Sequence, residues 1–390
     1  MPPRKPIKKT HIVNKRPPFE CIALLLQGGG ALGAYQAGVY EALAEAGLHP
    51  DRVAGISIGA INSAIIAGNA PKDRVAKLRE FWEFITNNTP LDAMTGLESQ
   101  FLKGDISRTL VNQMSASVTV MAGIPGFFKL RLPPPWFSES GSVEATSYYD
   151  TSMLKGTLER LVDFDRINSN EMWLSMGAVN VRSGNFVYFD TKTHKIRAEH
   201  VMASGALPPG FPAIEIDGEF FWDGGLVSNT PLEWVLLGDE YRQDTLAFQV
   251  DLWSADGNLP HNMAEVMTRQ KEILYSSRTR ASTDRFKYAQ RARHAIANVL
   301  DNLPASMKKG AEIDLLRKIS DRKVYNIIHL IYHARAYEGD TKDFEFSRLS
   351  MEEHWKEGYN ATVRTLRHPK VLERPTNHEG VYTFDINREE

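Results

Sequence analysis

The strongest constraint on how this chain can fold lies in residues 21–68, where two short apolar runs each stop at glycine and each hand over to a helix-forming segment. The first run, CIALLL at 21–26, is too short for a buried helix and is bounded by Gly28, Gly29 and Gly30, so it reads as a fully buried strand. Residues 34–46 are good helix formers with apolar positions at helical spacing, and Gly47 stands where a C-terminal cap belongs. The second run, at 53–56, repeats the pattern and passes into Gly55-Ile56-Ser57-Ile58-Gly59, which fits the G-x-S-x-G nucleophile elbow. Two strand-turn-helix units therefore stand back to back.

That arrangement points to a specific chemistry. A serine hydroxyl is a poor nucleophile unless it is exposed, placed beside a base and faced by donors for the oxyanion of a tetrahedral intermediate. Gly55 and Gly59 leave room for a strained turn that lifts Ser57 off the strand end, and a helix over residues 60–67 brings its positive end near the hydroxyl. The backbone amides of Gly28, Gly29 and Gly30 are natural oxyanion donors from the neighbouring loop. Gly28-x-Gly30-x-x-Gly33 also fits a dinucleotide-binding fingerprint, with Asp51 near the distance for a ribose-binding acid. That acid should end the second strand, and here the second strand ends in Gly-Ile-Ser. The two motifs in register on consecutive units favour a hydrolase.

The 390 residues suffice for one large domain with additions, or for two domains. A net charge of -2 argues against a dedicated nucleic-acid binder, and the single cysteine, Cys21, excludes an internal disulfide and a Cys-rich metal site. No apolar run approaches the length of about 18 residues expected of a spanning helix. Residues 1–18 carry six Lys and Arg but no hydrophobic signal region follows, so they read as a disordered basic tail. The expectation is a cytoplasmic protein, at most peripheral at a membrane.

Beyond the elbow, residues 71–85 read as an amphipathic helix with Val75, Leu78, Phe81, Trp82 and Ile85 on one face, most simply packed into the core. Residues 87–144 are broken by Gly, Pro and Ser apart from a short helical piece at 107–114, and read as an irregular, lid-like insert. Its Phe127, Phe128, Trp136 and Phe137 suit contact with lipid, either dipping into an interface or walling an acyl channel; core cover is the plainer alternative. A helix capped by Asp150 follows, then β-like runs at 173–179, 185–189 and 214–222, the last two joined by a turn-rich stretch at 200–212. Asp223 ends the third run ahead of Gly224 and Gly225. It is either a carboxylate at a strand end, where catalytic groups of α/β sheets gather, or the aspartate of an Asp-Gly hairpin turn.

The loop Gly28 to Gly33, the elbow Gly55 to Gly59, the segment Ala203-Ser-Gly-Ala-Leu-Pro208 and Asp223-Gly224-Gly225 together resemble, in order and context, the patatin-like phospholipase family over about residues 21–237. The resemblance implies a three-layer α/β/α fold with a mostly parallel central sheet. It also implies hydrolysis of phospholipid or other acyl-ester lipid without metal or organic cofactor, by a serine–aspartate dyad. Carried over by motif, Ser57 is the nucleophile, Asp223 the proton acceptor, and Gly28, Gly29 and Gly30 the oxyanion loop. The rival is a Ser-acid-His triad using His329, His333, His354 or His368, none of which sits in a recognisable catalytic loop. Other readings are a thioesterase or general carboxylesterase with the same dyad, and a lipid-binding scaffold that has lost turnover.

The organisation that follows is a tail at 1–18, an acyl hydrolase domain at 19–240 and a helix-rich C-terminal extension at 241–390 that partly completes the sheet. In the extension, residues 262–300 read as a long helix, or two, with a basic surface suited to phospholipid headgroups, to an acidic partner, or simply to water. Residues 324–333 read as a strand, and Ser350-Met-Glu-Glu353 as a capping box opening a last helix. Residues 337–346 resemble part of an extension found behind some bacterial patatin-like domains, with substrate shaping, dimerisation and membrane docking as its candidate roles.

Overall fold

Strand β1 (Cys21–Leu26) is buried at every residue and lies between β2 (Arg52–Ile56) and β9 (Thr245–Asp251), parallel to both. A strand covered on both edges and both faces buries every side chain, in keeping with its unbroken apolar sequence. The computed structural model describes residues 10–86, 105–238, 242–335 and 337–386. Its main sheet continues in parallel from β9 to β10 (Tyr325–Ile331) and β11 (Val381–Phe384), and from β2 to β5 (Trp173–Asn180). Strands β6 (Phe186–Asp190), β7 (Ile214–Ile216) and β8 (Glu219–Asp223) add to it antiparallel, while β3 (Lys129–Leu130) and β4 (Tyr149–Asp150) form a separate pair.

Along the chain the helices are α1 (Ala34–Glu45), α2 (Ile58–Ala67), α3 (Arg74–Ile85), α4 (Asp105–Ala122), α5 (Ser152–Leu161), α6 (Phe164–Asn168), α7 (Ala198–Ser204), α8 (Leu232–Leu237), α9 (Met263–Asn302), α10 (Ala311–Ile319) and α11 (Arg348–Leu366). They form two layers because β1 alternates. Ile22, Leu24 and Leu26 enter one core with α1, α2, α3 and α11, whereas Cys21, Ala23 and Leu25 enter a second with α8 and Phe286 of α9. The fold is thus three-layer α/β/α, and strands β9 to β11 of the C-terminal part belong to the same sheet as β1.

Helices α1 and α11 approach backbone to backbone. A Cβ on Gly38 would stand 1.8 Å from the Trp355 carbonyl oxygen, and one on Gly358 2.0 Å from that of Tyr35. Gly38→Ala must push the two helices apart, so it is expected to destabilise the fold by about 1–3 kcal/mol. Thermal unfolding of the variant measures this, and an unchanged midpoint would contradict the contact.

Several local expectations change. The stretch at 200–212, expected to be turn-rich, begins within α7, and the run at 214–222 is two strands joined at Asp217-Gly218, both with positive φ (52° and 84°). The hairpin signal therefore belongs to Asp217, and Asp223 instead caps a 3-10 turn by accepting the Gly225 N–H at 2.7 Å. Part of the insert, residues 87–104, lies outside the described residues, but α4 is a single helix of 18 residues. Its pattern is inverted: Asn112, Ser115 and Thr119 are buried while Leu110, Met114 and Met121 are exposed, so hydrophobic periodicity could not reveal it. The last helix starts three residues early, because the Ser347 side chain, not that of Ser350, accepts the capping N–H.

Residues 1–9 of the expected tail lie outside the described residues. From Thr10 the chain runs against the body, with the Val13 N–H on the Ala46 carbonyl at 3.2 Å and Arg16 paired with Asp51. The basic residues of α9 are largely engaged within the chain: Arg269 pairs with Glu272, Lys271 with Asp343, Arg285 with Glu233 and Arg291 with Glu379. Among the described residues, no helix is long and apolar enough to cross a membrane.

Candidate active site

Ser57 sits in the turn between β2 and α2 with φ 58° and ψ −125°, a conformation that costs a non-glycine residue about 1–3 kcal/mol. The turn is this tight because its flanking residues lack side chains. A Cβ on Gly55 would lie 2.2 Å from the Gly59 carbonyl oxygen, and one on Gly59 would lie 2.3 Å from that of Leu26. The serine N–H donates to Ser204 Oγ (3.1 Å), whose own hydroxyl donates to the Gly177 carbonyl (2.6 Å), so α7 and β5 brace the elbow from behind.

Strand β5 brings the acid to the serine. Its residues Ser175 to Gly177 pair with β2 on one edge and with β6 on the other, and β8 takes up the edge of Ala178 to Asn180 that β2 has vacated. Consecutive positions of β5 therefore face Ile56 and Asp223, and β8, running antiparallel, meets the elbow head-on. Ser57 and Asp223 line the same cavity, with the serine side chain close enough to the carboxylate to act on its charge. Asp223 is 2% exposed, and burial drives its pKa from 3.8 up to about 7, opposed by the neighbouring Ser57 side chain and by the hydrogen bond from the Gly225 N–H.

Gly28, Gly29 and Gly30 line the same cavity, of about 360 Å³, as Ser57 and Asp223. The Gly28 carbonyl accepts hydrogen bonds from Asn229 Nδ2 and Trp253 Nε1, both at 3.0 Å, and the Gly28 N–H reaches the Asn229 carbonyl at 3.4 Å. The N–H groups of Gly29 and Gly30 find no acceptor among the described residues. Gly33, the other glycine of the loop, lies deeper against Ile58 and Trp82. A model for patatin-like phospholipases matches residues 24–236. The chain belongs to the patatin-like phospholipase family.

A second family model, described as patatin phospholipase, matches residues 273–378. An uncharacterised NTE family protein of Mycobacterium tuberculosis is 39% identical over 111 residues, 28% of this chain and 18% of that protein. The lysophospholipase nte1 of Aspergillus terreus is 36% identical over 87 residues, 20% of this chain and 6% of its own length. The chain thus spans under a fifth of these relatives. Among solved structures, VipD from Legionella pneumophila aligns with 16% identity and a TM-score of 0.40, over 100% of this chain and 78% of that one.

In this patatin-like site the remaining wall is mostly apolar. Phe127 and Phe128 are buried in it, and Phe128 packs on Phe211 and Tyr149 with ring centroids 5.1 and 4.9 Å apart. Trp136 and Phe137 are not part of it; they stand outside, 68% and 73% exposed, with Trp136 edge-on to Tyr148. No histidine lines the cavity among the described residues. His329 instead faces Asp251 at 3.3 Å, and His354 faces Glu338 at 3.5 Å in a buried group with Tyr332.

Three supporting residues carried no role in the sequence reading. Ser204 lies within the Ala203–Pro208 motif and Asn229 shortly after Asp223-Gly224-Gly225, so both were near recognised signals. Trp253 had none: it follows β9, and only the pairing of β9 with β1 sets it behind the glycine loop.

Proposed function

We infer that the protein is a serine acyl-ester hydrolase acting on phospholipid or other acyl-ester lipid. The observation that carries this reading is a serine on a strained strand-to-helix turn that lines the same largely apolar cavity as a buried carboxylate. Ser57 Oγ attacks the ester carbonyl carbon while Asp223 takes the hydroxyl proton, and the Gly29 and Gly30 amides receive the negative charge on oxygen. The bond to the alcohol then breaks as Asp223 returns the proton to the leaving oxygen. Water attacks the acyl-serine in the second half, its proton passing through Asp223 to Ser57. A carboxylate with pKa near 7 suits this exchange far better than one near 3.8, since a general base works best close to the ambient pH.

Fluorophosphonate labelling tests the reading: a single adduct on the peptide carrying Ser57 is expected, and labelling elsewhere or nowhere would refute it. Comparison of phospholipid, a simple carboxylic ester and an acyl thioester separates the lipase from the esterase and thioesterase alternatives. The apolar lining favours the long-chain lipid ester.

Trp136 and Phe137 are exposed, as are Leu110, Met114 and Met121 on the outward side of α4, and exposed aromatic and apolar side chains suit lipid contact. Val120 and Tyr149 both line the cavity, and Tyr149 OH donates to the Val120 carbonyl. Trp136→Ala with Phe137→Ala is expected to lower hydrolysis of vesicle lipid about tenfold, equivalent to about 1.4 kcal/mol of interfacial affinity. Hydrolysis of a soluble short-chain ester should not change. Equal losses on both substrates would remove these residues from the interface.

A further inference from the structure

Three successive glycines have no side chains with which to anchor their backbone, so the conformation of the loop at 28–30 must be imposed from outside. Much of that imposition comes from the C-terminal part of the chain. Gln27 Oε1 accepts the N–H groups of Leu252 and Trp253 at 2.6 and 3.1 Å, tying the exit of β9 to the entry of the loop. Trp253, packed on Tyr275 with centroids 5.0 Å apart, returns its indole N–H to the Gly28 carbonyl. In a trans peptide the carbonyl and the following N–H point in opposite directions, so fixing the Gly28 carbonyl on Trp253 and Asn229 turns the Gly29 N–H away from them.

The far side of the loop is held by residues 340–343. The Ala31 N–H donates to the Asp343 carbonyl at 2.8 Å, and that oxygen comes so close that a Cβ on Gly30, whose φ is 55°, would lie 2.1 Å from it. The Asp343 carboxylate takes Lys271 Nζ at 2.8 and 3.2 Å, and the same ammonium donates to the Asp340 carbonyl at 2.9 Å. Beside it, Lys342, with its side chain 3% exposed, pairs with Glu272 at 2.7 Å. Two adjacent residues of α9 thus clamp the segment that rests on Gly30 and Ala31.

We propose that this clamp is the role of residues 337–346 and α9 at the active site: Trp253 and the Lys271–Asp343 ion pair are positioning residues that keep the glycine-loop amides aimed at the oxyanion. The proposal rests on the hydrolase reading above. It predicts that loosening the clamp lets the Gly28–Gly29 peptide rotate, placing a carbonyl where a donor is needed, with ground-state binding left intact.

Trp253→Phe keeps an aromatic ring against Tyr275 but removes the indole N–H, together with part of the ring's volume; Lys271→Met and Asp343→Asn remove the ion pair. Each is expected to lower kcat about 10- to 100-fold, approaching the loss of a whole oxyanion donor, with KM changed less than twofold. Affinity for a trifluoromethyl ketone of the acyl chain, which forms a tetrahedral adduct on serine, should fall in parallel with kcat/KM. Affinity for the free fatty acid should not. The exchange Lys271→Asp with Asp343→Lys should recover much of the loss. Unchanged kcat in all three single variants overturns the proposal, as does a rise in KM equal to any loss, or a loss that tracks only the unfolding temperature. A native chain that neither hydrolyses esters nor binds the ketone would instead refute the hydrolase reading itself.

Discussion

Ser57→Ala is expected to lower ester hydrolysis by about 10⁶-fold, the scale reached when a serine hydrolase loses its nucleophile. Steady-state turnover of a long-chain ester, with fluorophosphonate labelling beside it, measures the effect; retention of even a hundredth of native activity would move the nucleophile elsewhere. The substitution should be nearly silent for stability, because alanine inherits the same positive φ. Ser57→Gly should in contrast stabilise the fold by about 1–3 kcal/mol, since only glycine adopts this backbone without strain. An inactive protein that unfolds at a higher temperature is therefore the expected signature of the elbow.

Asp223→Asn is expected to cost about 10⁴-fold or more in turnover, because the amide cannot accept the serine proton. Retained fluorophosphonate labelling in this variant would refute Asp223 as the base. The native enzyme should lose kcat/KM about tenfold per pH unit below about pH 7, where the carboxylate becomes protonated. Stability moves in the opposite sense. The folded pKa lies near 7 and the ordinary value is 3.8, so the folded state holds this proton more tightly than the unfolded state. The stability linked to the proton is present in full below pH 3.8 and is lost as pH rises through 7, at a cost on the order of 4 kcal/mol. Asp223→Asn should accordingly raise the unfolding temperature at pH 8 and leave it nearly unchanged at pH 4. A variant less stable than the native chain at pH 8 would mean that the carboxylate is not held against its own desolvation.

Much of the site was legible because its signals are local. The apolar run of β1, the glycines after it and the G-x-S-x-G turn each state their geometry within a few residues, since backbone sterics and buried edges act at short range. The same locality misled elsewhere. Two Asp-Gly pairs stand six residues apart, and nothing nearby tells that Asp217 turns a hairpin while Asp223 caps a 3-10 turn. Helix α4 hid because it buries polar residues and exposes apolar ones, the reverse of the pattern that usually betrays a helix.

By itself, then, the sequence determined a strained serine between two glycines, a glycine loop on the adjoining strand, and a carboxylate ahead of two more glycines. Only the tertiary structure decided that these face one another. The serine and aspartate meet because β5 pairs with β2 up to Gly177 and with β8 from Ala178 onward, and the loop is braced because β9, from the far end of the chain, pairs beside β1. Such pairings depend on register between segments distant in sequence, and the energy that selects them is the burial of the whole sheet, which no local stretch of residues contains.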